Sequence, residues 1–180
     1  IGEKAFSNSK IETLSFASDS AVMIIGNSAF ENSPLMKLFI PKSLIKLNNL
    51  WCKGAEKLNK IEVDPKNKYF SIKDGFLIYK NDKSKEILFS PHEIKGEFLV
   101  PEEITRIGNY SFFNREQITS VKSSSSLISI SSYSFYKCPN LESVTINQNN
   151  GILLGKFCFS NSEKLSTIDI QCKELKIQDN

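Results

Sequence analysis

Ile1-Gly2-Glu3-Lys4-Ala5-Phe6, Ile25-Gly26-Asn27-Ser28-Ala29-Phe30 and Ile107-Gly108-Asn109-Tyr110-Ser111-Phe112 are three copies of one phrase. It returns worn as Ile130-Ser131-Ser132-Tyr133-Ser134-Phe135 and Leu154-Gly155-Lys156-Phe157-Cys158-Phe159, and degenerate as Leu47-Asn48-Asn49-Leu50-Trp51-Cys52. The steps between first residues are 24 (1 to 25), 22 (25 to 47), 23 (107 to 130) and 24 (130 to 154). Helical-hairpin repeats need about 33 residues or more, whereas coils of one strand and a short turn need about 20–29. The period therefore predicts a strand and a short turn per repeat.

The second half of each repeat supplies the strand. It reads Leu141-Glu142-Ser143-Val144-Thr145-Ile146, Leu165-Ser166-Thr167-Ile168-Asp169-Ile170, Leu58-Asn59-Lys60-Ile61-Glu62-Val63, Leu35-Met36-Lys37-Leu38-Phe39-Ile40 and Ile11-Glu12-Thr13-Leu14-Ser15-Phe16. Alternation with β-branched residues inside marks a half-buried strand. Pro41 follows one such strand, where pairing can stop without losing a ladder donor. Within the phrase itself, one or two turns of α- or 3₁₀-helix are expected. Asn8, Asn32, Asn114 and Asn161 follow the phrase's Phe by two residues and fit a left-handed helix C-terminal cap. The next residue is small (Ser9, Ser33, Cys138, Ser162), and Arg115 breaks that rule. One repeat buries too little apolar surface to offset the entropy of ordering it, so the coils must stack.

Between 64 and 97 the period is lost. Asp74-Gly75 is a tight-turn signal between the apolar runs Tyr69-Phe70-Ser71-Ile72 and Phe76-Leu77-Ile78-Tyr79, and Glu86-Ile87-Leu88-Phe89 follows a polar turn. This predicts a β-hairpin or small three-stranded flap inserted in one coil. The repeat resumes at Phe98-Leu99-Val100-Pro101. The expected organisation is one α/β repeat solenoid over 1–180: a right-handed coil with parallel strands, short helical or 3₁₀ turns and a hairpin insert at 64–97. The phrase is under way at Ile1, and Leu175 and Ile177 sit where a further repeat would start, so a fragment of a longer array is expected.

These residues carry a resemblance. Ile-Gly-x-x-Ala-Phe, a small residue or Cys, then Leu-x-x-Ile-x-Ile-Pro resembles the BspA-type leucine-rich repeat of bacterial surface proteins, expanded also in some parasitic protists. The insert, from Lys73-Asp74-Gly75-Phe76 to Phe89-Ser90-Pro91, is similar to the hairpin within such arrays. The resemblance covers nearly the whole chain. The Leu47 copy, with Trp51-Cys52 in its small and Phe slots, and Lys137 in the Asn ladder depart from it. It implies a non-enzymatic module for protein binding or adhesion, directed at host cells or matrix proteins and located at a cell surface. The family has no shared catalytic residues. The alternative is a scaffold within a cytoplasmic or cytoskeletal assembly.

Composition narrows the function classes. The 180 residues are 40% hydrophobic and 24% charged, with a net charge of +3. The arginines are only Arg106 and Arg115, which disfavours nucleic acid, since bidentate phosphate and guanine recognition favours Arg. No apolar run approaches the about 20 residues of a membrane helix, so direct membrane insertion is not expected. Cys52, Cys138 and Cys158 fall in interior slots and are expected to be buried free thiols; Cys172, just past a strand, is expected at the surface. No C-x-x-C or metal-ligating cluster is present, and no cofactor is implied. His92, the single histidine, is expected as an exposed loop residue, and Glu102 and Glu103 as surface charges. No catalytic residues are assigned. Asn109-Tyr110-Ser111 is a sequon, making Asn109 a candidate glycosylation site.

The predicted binding surface is the outward face of the strands: Thr13, Ser15, Lys37, Phe39, Lys60, Glu62, Ser120, Lys122, Ser143, Thr145, Thr167 and Asp169. Stacked parallel strands would align these as rows on the concave side, the usual binding surface of curved solenoids. The insert aromatics Tyr69, Phe70, Phe76 and Tyr79 form the second candidate surface.

Overall fold

A computed structural model describes residues 1–17, 19–148 and 150–178. The chain divides into two compact units, Ile1–Lys80 and Asn81–Asn180. Each is a parallel-strand β-solenoid, the first with an antiparallel pair at its end.

The first unit contains β1 (Thr13–Leu14), β2 (Ile24–Ile25), β3 (Lys37–Ile40), β4 (Lys46–Leu47), β5 (Lys60–Val63), β6 (Phe70–Lys73) and β7 (Phe76–Lys80). β1, β3 and β5 pair in parallel, with Thr13, Lys37 and Lys60 aligned and Phe39 opposite Glu62. β2 and β4 form a second parallel sheet, with Ile25 opposite Leu47. β6 and β7 are antiparallel, with Phe70 opposite Tyr79. Asp74 and Gly75 close that hairpin at φ 50° and 80°, the paired positive φ of a primed turn.

The second unit contains β8 (Lys85–Phe89), β9 (Gly96–Leu99), β10 (Arg106–Ile107), β11 (Ile118–Lys122), β12 (Ser129–Ile130), β13 (Ser143–Asn147), β14 (Gly151–Leu154), β15 (Thr167–Gln171) and β16 (Glu174–Ile177). β9, β11, β13 and β15 make one parallel sheet, and β8, β10, β12, β14 and β16 pair in parallel in another. Lys85–Phe89 pairs in parallel with Arg106–Ile107, and Phe70–Lys73 pairs antiparallel with Phe76–Lys80.

The expected helical turns are absent: among the described residues there is no helix, so the α/β class is corrected to an all-β coil. The cause is backbone chirality at two positions of each repeat, counted from the first residue of the phrase. The fourth residue has positive φ in Lys4, Ser28, Leu50, Tyr110, Tyr133 and Phe157, at 50–59°. The eighth does so in Asn8, Asn32, Gly54, Asn114, Lys137 and Asn161, at 54–68°. A left-handed residue every fourth position interrupts any i−4 ladder. The phrase folds instead as consecutive tight turns, such as Glu31 N–H to Ser28 O at 3.1 Å and Ser33 N–H to Phe30 O at 3.1 Å. Other donors bond neighbouring coils, Phe30 to Trp51 O and Phe135 to Cys158 O ahead, both 2.8 Å, and Gly26 back to Ile1 O at 3.0 Å. The Asn ladder thus caps a turn, with left-handed geometry as its physical reason.

The phrase's Ile and Phe fill the column. Ile25, Phe30, Ile107, Phe112 and Phe135 are 0–1% exposed, and rings stack coil on coil, Phe112 to Phe135 at 4.6 Å and Phe135 to Phe159 at 5.6 Å. The phrase's Gly serves close approach. A Cβ on Gly26 would sit 2.6 Å from the carbonyl carbon of Gly2. The fourth-residue rings make an outer stack, Tyr110 to Tyr133 at 4.9 Å and Tyr133 to Phe157 at 5.1 Å.

Candidate functional site

Alternation along a strand sends successive side chains to opposite faces, and stacking turns one outward position into a row. In the first unit, β1, β3 and β5 bring Thr13, Ser15, Lys37, Phe39, Lys60 and Glu62 to one surface. All six line a single groove of about 200 Å³. Thr13, Ser15, Lys37, Lys60 and Glu62 are exposed, and Phe39 is half-buried. Lys60 Nζ meets Glu62 Oε1 at 2.7 Å. The Lys60 hydrogen bond and charge hold the Glu62 carboxyl below its usual range, so it is ionised at neutral pH.

In the second unit the register builds two rows. Glu97, Ser120, Ser143 and Thr167 form one; Leu99, Lys122, Thr145 and Asp169 form the other. Between them Phe98, Val121 and Val144 point inward and are buried. Lys122, Thr167 and Asp169 are exposed; Ser120, Ser143 and Thr145 are half-buried. Lys122 Nζ meets Glu97 Oε1 at 2.7 Å.

Sequence reasoning missed Glu97 and Leu99. The signal is present in the alternation of Phe98-Leu99-Val100, but the period is lost as far as residue 97. Leu99 is 59% exposed, an apolar member of a polar row. Of the insert aromatics, Phe70 is buried with its ring 5.3 Å from Tyr79, Phe76 and Tyr79 are half-buried, and Tyr69 is exposed.

The residues that bear chemistry elsewhere are held in structural roles. Burial pushes the Cys138 and Cys158 thiols up to about 11, and Cys138 Sγ donates to Phe112 O at 3.1 Å. Cys52 is also buried, and Cys172 is half-buried. His92 lies in a turn as expected, but its exposure is corrected: it is half-buried, with its ring 6.3 Å from the Phe89 ring. The Glu102 carboxylate accepts from Ser125 Oγ at 2.9 Å and clamps the Ser125–Ser126 turn. Asn109 is half-buried, and the Ser111 hydroxyl of its sequon is buried and donates to Gly108 O at 2.8 Å. Among the described residues there is no group of three or more metal-ligating side chains, and no helix is long and apolar enough to cross a membrane.

The thiols give a test. At pH 8 only about one in a thousand Cys138 or Cys158 side chains is thiolate, and the thiolate is the reactive form. A disulfide reagent is expected to modify Cys172 in the folded protein and the buried three only on unfolding. Burst modification of all four would contradict this. Both thiols bind their proton more tightly folded than unfolded. That stabilisation is complete below pH 9.0 and is lost as pH rises through about 11.

Comparison with known proteins follows this geometry. The family model described as BspA type leucine-rich repeat region, in 6 copies, matches residues 1–96 and 85–180. A leucine-rich repeat protein from Eubacterium ventriosum is 25% identical with a TM-score of 0.80, over 96% of this chain and 45% of that one. A leucine rich cell surface protein from Faecalibacterium prausnitzii has a TM-score of 0.63 at 16% identity, over 83% and 57%. A leucine-rich repeat protein from Bacteroides ovatus has a TM-score of 0.51 at 12% identity, over 98% and 54%. The chain thus spans about half the length of these solved structures. No protein of curated function matches the sequence significantly.

Proposed function

The chain belongs to the BspA-type leucine-rich repeat family, and from that premise we propose that it is a non-enzymatic module that binds a protein partner through its strand face at a cell surface. Repeat families of this kind are in general binding modules, and no catalytic family is indicated. The observation that carries the reading is the groove over β1, β3 and β5. Six outward residues from three coils converge on it, the half-buried Phe39 lining it together with Lys37, Lys60 and Glu62. Aromatic anchors ringed by polar groups are favoured at interfaces. The cell surface protein of Faecalibacterium prausnitzii shares the fold and supports the compartment. Adhesion to host cells or matrix proteins is the form of binding proposed.

The test uses the purified chain on cell monolayers and immobilised matrix. Phe39→Ala/Lys60→Ala/Lys122→Ala is expected to weaken binding about tenfold or more, ~1.4 kcal/mol per tenfold, with a thermal midpoint within a few degrees of the parent. Equal binding by the triple variant sinks the strand-face proposal. Antibody labelling of intact cells separates the surface reading from an intracellular scaffold, which would be labelled only after permeabilisation.

A further inference from the structure

β5 is the last strand of its sheet, whose order is β1, β3, β5, and an antiparallel hairpin follows it in the first unit. A terminal strand carries N–H and C=O groups of alternate residues on its outer edge, and these template pairing with a further strand. The apolar column shows the same incompleteness. Leu38 and Ile40 on β3 are 1% and 0% exposed, yet their register partners Ile61 and Val63 on β5 are only half-buried. Beside them lies an open cleft of about 500 Å³. Its apolar lining includes Ile61, Val63 and Ile72, the last 40% exposed; its charged lining is Glu62, Asp64 and Lys80.

The wall opposite the strand is held in place. Buried Asn67 donates through Nδ2 to Pro41 O at 2.8 Å and Leu44 O at 3.0 Å, and its Oδ1 accepts from the N–H groups of Tyr69 and Phe70, both at 2.8 Å. This fixes the start of the hairpin against the preceding coil. The cleft is thus preformed, with an edge strand on one side and an apolar hairpin face on the other. Its lining holds two carboxylates and one ammonium. Glu62 already meets Lys60, so Asp64 is the carboxylate more available to a ligand.

We propose that this cleft binds an extended, basic peptide segment of a protein partner, added as a strand along β5. Its aliphatic side chains would lie over Ile61 and Val63 and its lysines toward Asp64 and Glu62. Backbone pairing gives such a mode its affinity, and alternate side chains give its specificity. The inference rests on the protein-binding reading above but uses a different surface.

The test is a fluorescence titration of the whole chain with a labelled peptide of about ten residues alternating valine and lysine. Two counterparts carry proline at every valine, or glutamate at every lysine. Saturable binding is expected for the first, with both counterparts at least about tenfold weaker. Ile72→Ser and Asp64→Asn, which keeps an oxygen acceptor for the Lys66 N–H, are together expected to weaken it about tenfold with the thermal midpoint unchanged. Lys122→Ala is expected to leave it unchanged. Absence of saturable binding, equal binding of the proline peptide, or insensitivity to the Ile72/Asp64 pair would overturn the proposal. So would concentration-dependent dimerisation that Ile72→Ser abolishes, which would make the occupant a second copy. The strand-face reading is decided by the cell-binding assay, so the two fail separately.

Discussion

Phe112→Ala is expected to destabilise the protein by about 3–5 kcal/mol, the cost of truncating a fully buried phenylalanine to alanine. Phe112 is 0% exposed. Its ring lies 4.6 Å from that of Phe135 and 4.8 Å from that of Phe98, so the deletion opens a void between coils. Its N–H also bonds Ser134 O at 2.9 Å, so relaxation of the backbone into the void would strain the ladder of the next coil. A domain has about 5–15 kcal/mol of total stability, so this substitution removes a large share. Urea denaturation with parent and variant side by side measures it. Phe157→Ala is the contrast: that ring is 44% exposed and should cost less than about 1 kcal/mol. A Phe112→Ala loss no larger than that of Phe157→Ala would show that the ring column does not carry the fold.

Arg115→Ala is expected to cost about 3 kcal/mol, from two buried acceptors and one part-buried acceptor deprived of their donor and the void left behind. Arg115 occupies the slot held elsewhere by small residues that donate inward: Ser33 Oγ to Phe30 O at 2.8 Å, Cys138 Sγ to Phe112 O at 3.1 Å, Ser162 Oγ to Phe135 O at 3.1 Å. It is 4% exposed and donates from Nε to Ser90 Oγ at 2.9 Å, from Nη2 to Ser90 O at 2.7 Å and from Nη1 to Phe113 O at 2.7 Å. Its guanidinium lies 5.0 Å from the Phe89 ring centroid. The coil of β8 lacks the phrase, and its connection to β9 runs only from Ser90 to Lys95. The arginine reaches across to satisfy what that shortened coil leaves inside. Arg115→Lys keeps the charge but loses the planar fork, and should recover only part of the loss. Thermal denaturation of the three proteins side by side is the measurement. Full recovery by lysine, or an alanine cost below about 1 kcal/mol, would refute this account.

How much was legible depended on how local the cause was. The strand at Leu141–Ile146 could be read because alternation reports burial directly, and the structure pairs it as β13 with the outward rows aligned. The hairpin at Asp74-Gly75 was legible because two adjacent positive φ values need residues of that kind. The second sheet was not. Arg106–Ile107 and Ser129–Ile130 are two-residue strands, too short to show a period, and they are strands only because neighbouring coils pair with them. The phrase misled in one respect. Its spacing suits a turn of helix, but at Lys4, Ser28 and Tyr133 the N–H of the positive-φ residue bonds the adjoining coil instead.

The candidate site divides the same way. Lys37, Phe39, Lys60 and Glu62 could be placed on one face from the strand period alone. That they line one groove, and that Glu97 and Leu99 extend the rows of the other unit, depends on register between coils. By itself the sequence determined the repeat, its parallel strands, its core column and its family, because each follows from residue identities at a fixed period. The tertiary structure alone decided the turn conformation, the second sheet, the burial of Arg115 and the open edge of β5. Each of these depends on hydrogen bonds and contacts between residues some 20 or more positions apart, which no local pattern encodes.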